Sequence, residues 1–119
     1  MPLKTFEDLE VWKRALRLAV EVHQKLGETR NFVLKDQMCR ASLSIPSNIA
    51  EGHERDSRQD FIRFLRIAKG SAAELRTQSY IARELGVLPT DDCEHVAQET
   101  REVAAMLQGL IRALTPPEN

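Results

Sequence analysis

The sequence predicts an all-α fold, an antiparallel up-down-up-down four-helix bundle with a proline-kinked second helix. Three observations predict it. Apolar residues recur at helical spacing through four long segments, with no alternating strand pattern between them. The connections near residues 27–33, 53–57 and 86–90 are short, which favours antiparallel neighbours. In Ser44-Ile45-Pro46-Ser47-Asn48-Ile49-Ala50-Glu51-Gly52 a proline and several small residues sit inside a helical pattern, yet the apolar period of Ile45 and Ile49 continues across Pro46.

The first helix is read from Phe6 to Leu26, with Thr5 as N-cap, Glu7 and Asp8 in the first turn and Gly27 as the stop. Its apolar residues, from Leu9 and Val11 to Val22 and Leu26, cover roughly 200° of the helix circumference, about twice what one buried face needs. A second buried contact is expected. The remaining face, Glu10, Lys13, Arg14, Arg17 and Glu21, reads as solvated, with Glu10–Arg14 and Arg17–Glu21 as i,i+4 pairs.

The second helix runs from about Leu34 to Gly52 or a few residues beyond, with Leu34, Met38, Ala41, Ile45 and Ile49 inward and Asn48 at their edge. Pro46 lacks an N–H and its ring crowds the carbonyl four residues back, which costs about 3 kcal/mol. A break into two helices at Ile45 is the competing expectation. Ser57 and Asp60 resemble a capping box and open the third helix, which ends at Leu85 before Gly86 and is roughly 40 Å long. Phe61, Phe64, Ala68, Ala72, Leu75, Ser79 and Ala82 share one side. In Gly70-Ser71-Ala72-Ala73 the small side chains admit a close neighbour, and Gly70, at about 1 kcal/mol against alanine, reads as the answer to a steric demand. Thr90 caps the fourth helix, Asp91 and Asp92 complement its dipole, and it ends near Leu114 before Pro116-Pro117.

At 119 residues the chain is a single domain, 1–119, large enough to bury a core without disulfides or metals. Cys39 and Cys93 stand far apart and read as reduced, packing thiols. No apolar run approaches the ~20 residues that span a bilayer, and Met1 to Asp8 lacks a secretory pattern, so a cytoplasmic protein away from membranes is expected. Net charge is −1, but it is unevenly spread. Up to Gly86 there are fifteen Lys or Arg against twelve acids; from Val87 onward there are two against six. One face of the fold is therefore expected to be basic and another acidic.

No reaction centre is legible. A di-iron bundle needs two Glu-x-x-His motifs and two further carboxylates, and only Asp92 and His95 have that spacing. There is no Gly-x-Ser-x-Gly and no phosphate-binding glycine loop. The expectation is a protein without metal or cofactor that is not an enzyme. Two features remain. Arg40, Ser44, Ser47 and Glu51 form a polar line on the second helix around Pro46, with Asn48, Gly52 and Gly70 as its small or polar companions. It reads as a paired network between helices or subunits in preference to a partner site at the kink. On the third helix Arg58, Lys69, Arg76 and Arg83 fall within about 40° on the wheel, with Arg66 beside them. Such a stripe is either a solvated face or a phosphate-tracking surface for nucleic acid, with only Tyr80 near enough to stack on a base.

Three motifs in order carry a family resemblance: Thr5-Phe6-Glu7-Asp8-Leu9-Glu10-Val11-Trp12-Lys13, the Ser44 to Gly52 stretch, and Asp60 through Gln78 with Phe61-Ile62-Arg63-Phe64-Leu65-Arg66-Ile67-Ala68-Lys69-Gly70-Ser71. Together they closely resemble the 23S rRNA intervening sequence proteins, small bacterial four-helix bundles. The resemblance implies a homo-oligomeric ring, a pentamer, which would account for the wide apolar arc of the first helix. The family is similar in turn to the accessory variability proteins of diversity-generating retroelements, basic pentamers that bind RNA and a reverse transcriptase; this chain departs from them in being near neutral. Implied partners are thus other copies of the chain and RNA or an RNA-binding protein.

Overall fold

Caps and periodicity place four helices close to the expected boundaries, and the differences have local causes. The computed structural model describes residues 5–117; the first four residues, part of the segment read for a secretory pattern, lie outside them. Phe6–Asp8 form a single 3₁₀ turn, and α1 (Glu10–Leu26) starts only after Leu9, whose extended backbone (φ −76°, ψ 124°) turns its side chain into the core. Thr5 therefore begins the turn, not α1, its N–H donating to the Asp8 carboxylate at 3.4 Å. Asn31 caps α2 (Phe32–Glu54) by accepting the Leu34 N–H at 3.1 Å, so that helix starts two residues before the apolar period does. Ser57 caps α3 (Arg58–Glu84) through the Asp60 N–H, 3.2 Å away. Thr90 is the first residue of α4 (Thr90–Leu114) and the cap position falls to Pro89. Asp56 and Gly86, at φ 57° and 67°, make the left-handed bends that end α2 and α3.

The helices form an antiparallel four-helix bundle in which each packs on two neighbours, α1 on α2 and α4, α3 on α2 and α4. Leu18, Leu26, Met38, Ile45, Ile49, Leu65, Leu75 and Leu107 fill the centre, fully buried. The body is elongated, 50 × 27 × 23 Å.

Helix α2 passes through Pro46 without a break. The proline ring is buried, and beside it three polar groups join α2 to α3. Asn48 Nδ2 donates to Ser44 O at 2.8 Å and to Ser44 Oγ at 2.9 Å, and Ser44 Oγ lies 2.8 Å from Ser71 Oγ. The Asn48 side-chain bond adds to the α2 backbone two residues before the proline; the carbonyl that Pro46 leaves without its helical donor is that of Ser42, four residues back. The tight helix crossing lies elsewhere than expected. A Cβ on Gly52 would stand 2.5 Å from Phe64 Cβ, whereas one on Gly70 would meet nothing within 4 Å. Gly70 faces outward, so the expectation of a steric demand there is corrected; within its tetrad Ala72 takes the buried position.

Gln78 is buried at 8% exposure and its Oε1 has no hydrogen-bond partner among the described residues. An unpaired buried amide oxygen costs about 1–3 kcal/mol. Gln78→Met keeps the length of the side chain and removes that cost, so the variant is expected to gain about 1 kcal/mol in urea unfolding; a loss would mean that the amide is paired.

Candidate functional site

Ionic side chains are sorted between two seams of the bundle. At the α1–α4 seam Arg14 donates to Glu99 through Nη2 (2.8 Å) and Nε (3.2 Å), and Nη2 also lies 2.8 Å from Glu102. Lys25 pairs with Asp92 at 2.8 Å, and His95 Nε2 lies 2.7 Å from Glu21. The solvated face expected on α1 holds for Glu10, Lys13 and Arg17, which are exposed, and is corrected for Arg14 and Glu21. Arg14 reaches across to Glu99 and Glu102 of α4, three residues apart, and Glu21 to His95. The hydrogen bonds from Arg14 hold the Glu99 carboxyl below its usual range, with burial opposing, and the Arg14 guanidinium is raised chiefly by its bond to Glu99.

A carboxyl whose folded pKa is depressed contributes its stability in full above its unfolded value and loses it as pH falls through the folded one. Arg14→Met is therefore expected to cost about 1 kcal/mol at neutral pH, a modest figure because the pair keeps some solvent, and progressively less below about pH 4. Chemical unfolding at several pH values checks this; a cost independent of pH would contradict it.

With Asp92, Glu99 and Glu102 paired to α1, the opposite seam is left rich in cations, with Glu94 among them. Lys69 Nζ donates to Gln108 at 2.7 Å, which sets the register of α3 against α4. Arg101 Nη2 donates to the Tyr80 hydroxyl at 2.6 Å and Nη1 to Gln98 at 3.3 Å. Arg83 lies over the Tyr80 ring, 5.3 Å from its centroid, and pairs with Glu84 at 3.4 Å. Arg58 and Arg66 are exposed; Lys69, Arg76 and Arg83 are half-buried along α4. The side chains of Arg58, Arg66 and Arg76 make no ion pair or hydrogen bond among the described residues. The stripe expected on α3 is thus brought together along a seam, and α4 adds to it. Arg101, Gln108 and Arg112 recur at steps of seven and four, on one edge of that helix. Sequence reasoning missed Arg101 and Arg112; their spacing was visible, the facing helix was not.

A third surface is apolar. Between α1 and α2 a groove of 530 Å³ is lined by Phe6, Trp12, Leu16, Val20, Leu43, Pro46 and Ala50, among others. Phe6 and Trp12 meet edge to face at its rim, centroids 5.2 Å apart. Leu16 and Val20, the part of the wide apolar arc of α1 that the bundle itself leaves open, and Leu43 of α2 are 45–50% exposed.

The polar line on α2 divides among these surfaces. Ser44 joins α3 through Ser71 and is held by Asn48, Ser47 lines the groove, and Gly52 is pressed against Phe64. Arg40 and Glu51 pair within their own helix, with Asp36 at 3.2 Å and Arg55 at 3.3 Å. Both thiols are free and burial pushes them up from the ordinary cysteine value, which leaves them poor nucleophiles. Among the described residues no group of three or more His, Cys, Asp or Glu stands ready to hold a metal, and no helix is long and apolar enough to cross a membrane.

A family model described as 23S rRNA-intervening sequence protein matches residues 7–109. Among solved structures the fold is similar to a protein of unknown function from the S23 ribosomal protein family of Bacteroides thetaiotaomicron. The two share 26% identity over 86% of this chain and 98% of that one, with a TM-score of 0.81. No curated protein matches the chain.

Proposed function

Because the chain belongs to the 23S rRNA-intervening sequence protein family, we propose that it is a non-enzymatic homo-oligomer, a pentameric ring, serving as a cytoplasmic RNA-associated or RNA–protein scaffold. The observation that carries the reading is the sorting of charge. Asp92, Glu99 and Glu102 of α4 are paired with α1, and Lys69, Arg76, Arg83, Arg101 and Arg112 gather along the α3–α4 seam with Arg58 and Arg66, beside Glu94. A chain of net charge −1 thereby offers one basic strip to a polyanion. The open α1–α2 groove supports self-association, since an apolar face of this kind gains by being covered. Around a ring the strip is repeated, and avidity follows.

The test is binding of structured and single-stranded RNA across a salt series, beside a variant with Arg58, Lys69, Arg76 and Arg83 changed to Ala. Affinity should fall steeply with salt and drop at least about tenfold in the variant; no binding at low salt would refute the RNA reading. A protein-binding oligomer without nucleic-acid affinity is the second reading, favoured by the apolar lining of the groove and by the partial burial of Lys69 and Arg83.

A further inference from the structure

The α3–α4 seam is not uniform. Toward the start of α4 it opens into a cleft of 400 Å³ lined by Tyr80, Arg83, Glu94, Ala97, Gln98 and Arg101. We infer that this cleft takes an unpaired nucleotide of single-stranded RNA, its base stacked on Tyr80 and its phosphates held by Arg101 and Arg76. The inference rests on the RNA reading above and adds the form of RNA and the place where it is read.

The chemistry of the walls selects the occupant. Tyr80 is the only tyrosine of the chain, and it is held in place by the bond from Arg101 at 2.6 Å and the guanidinium of Arg83 at 5.3 Å. A base entering the cleft meets an aromatic ring and a guanidinium plane, the two flat surfaces on which unpaired bases stack. Arg101 uses two of its five N–H donors on Tyr80 and Gln98, and the others remain for phosphate oxygens. Arg76 lies one helical turn from Tyr80 toward the uncompensated part of the strip. Glu94 sets the orientation. Its carboxylate repels phosphate and accepts from the amino group of a base edge, so the base points toward Glu94 and the backbone toward Arg76. A duplex offers its bases already stacked and paired, and cannot insert one here without breaking it. An acidic peptide would bring its carboxylates against Glu94.

The experiment compares the full-length protein on a 12-nucleotide single-stranded RNA and on the duplex of the same sequence at low salt. Wild type, Tyr80→Ala, Tyr80→Phe and Arg101→Gln are measured, and thermal melts report folding. Wild type is expected to prefer the single strand about tenfold, Tyr80→Ala to lose about tenfold on the single strand alone, and Tyr80→Phe, which keeps the ring, to stay near wild type. Arg101→Gln should weaken the single strand more than the duplex. Photocrosslinking of 4-thiouridine RNA to wild type, mapped by mass spectrometry, should label the Tyr80 peptide without any substitution. Salt-dependent binding with no single-strand preference, no loss in Tyr80→Ala and no label at Tyr80 overturns the cleft and leaves the basic strip standing. No RNA binding at all overturns both.

Discussion

Gly52→Ala should destabilise the protein by about 2 kcal/mol and lower its melting temperature by roughly 8 °C, although alanine is the better helix former. The added Cβ would lie 2.5 Å from Phe64 Cβ and 3.2 Å from a Phe61 ring carbon. A β-carbon cannot swing away as a side-chain tip can, so α2 and α3 must separate where Ile45, Ile49 and Leu65 are fully buried. Against this, alanine returns up to about 1 kcal/mol of helix propensity, and the overpacking term exceeds it. Gly70→Ala is the matched control. Its Cβ meets nothing within 4 Å, so propensity acts alone and the variant should gain about 0.5–1 kcal/mol. Thermal melts of the two variants with opposite signs would establish that the α2–α3 approach is set at Gly52; equal effects would refute it.

Leu16→Glu combined with Val20→Glu should convert the proposed oligomer into a folded monomer of 13.5 kDa. Both side chains are close to half-exposed in the isolated subunit, so glutamates there disturb little of the bundle core. In an assembly that covers the α1–α2 groove the same charges are buried without partners, a cost of several kcal/mol per contact. Light scattering after size exclusion reads the mass directly. Wild type should elute at a multiple of the subunit mass, five for a pentameric ring, and the double variant at the subunit mass with an unchanged far-ultraviolet spectrum. A wild type that is already monomeric at micromolar concentration would refute self-association through the groove.

Much of the bundle was legible because helix ends are local chemistry. Ser57 and Asp60 announce α3 wherever the chain goes, and Gly86 ends it. Leu9 was not legible: its extended backbone is chosen by the burial of its side chain, a tertiary event that overrides a helical pattern. The start of α2 was read late because Phe32 and Val33 are exposed at 70% and 79%, so the apolar period begins after the cap. The candidate surfaces divide in the same way. The arc on the first helix was visible as an excess of apolar residues, and the groove is that excess. Which glycine meets a neighbour, and which seam receives the acids of α4, depends on helix register, and register is fixed by contacts such as Ser44–Ser71 and Lys69–Gln108 that lie 27 and 39 residues apart in the chain. Asp92, His95, Glu99 and Glu102 recur at helical spacing, so their shared face could be read; that Arg14, Lys25 and Glu21 await them could not.

The most direct measurement of an oligomeric RNA scaffold is the RNA affinity of the Leu16→Glu, Val20→Glu monomer, whose basic strip is untouched, against that of the wild-type assembly at the same salt. Linked sites gain affinity by about 10²–10⁴ over single ones when their geometry permits simultaneous contact. A fall of at least about 100-fold in the monomer is the expected result. Equal affinity of monomer and assembly would contradict it, because the strip would then act alone and the ring would contribute nothing to RNA binding.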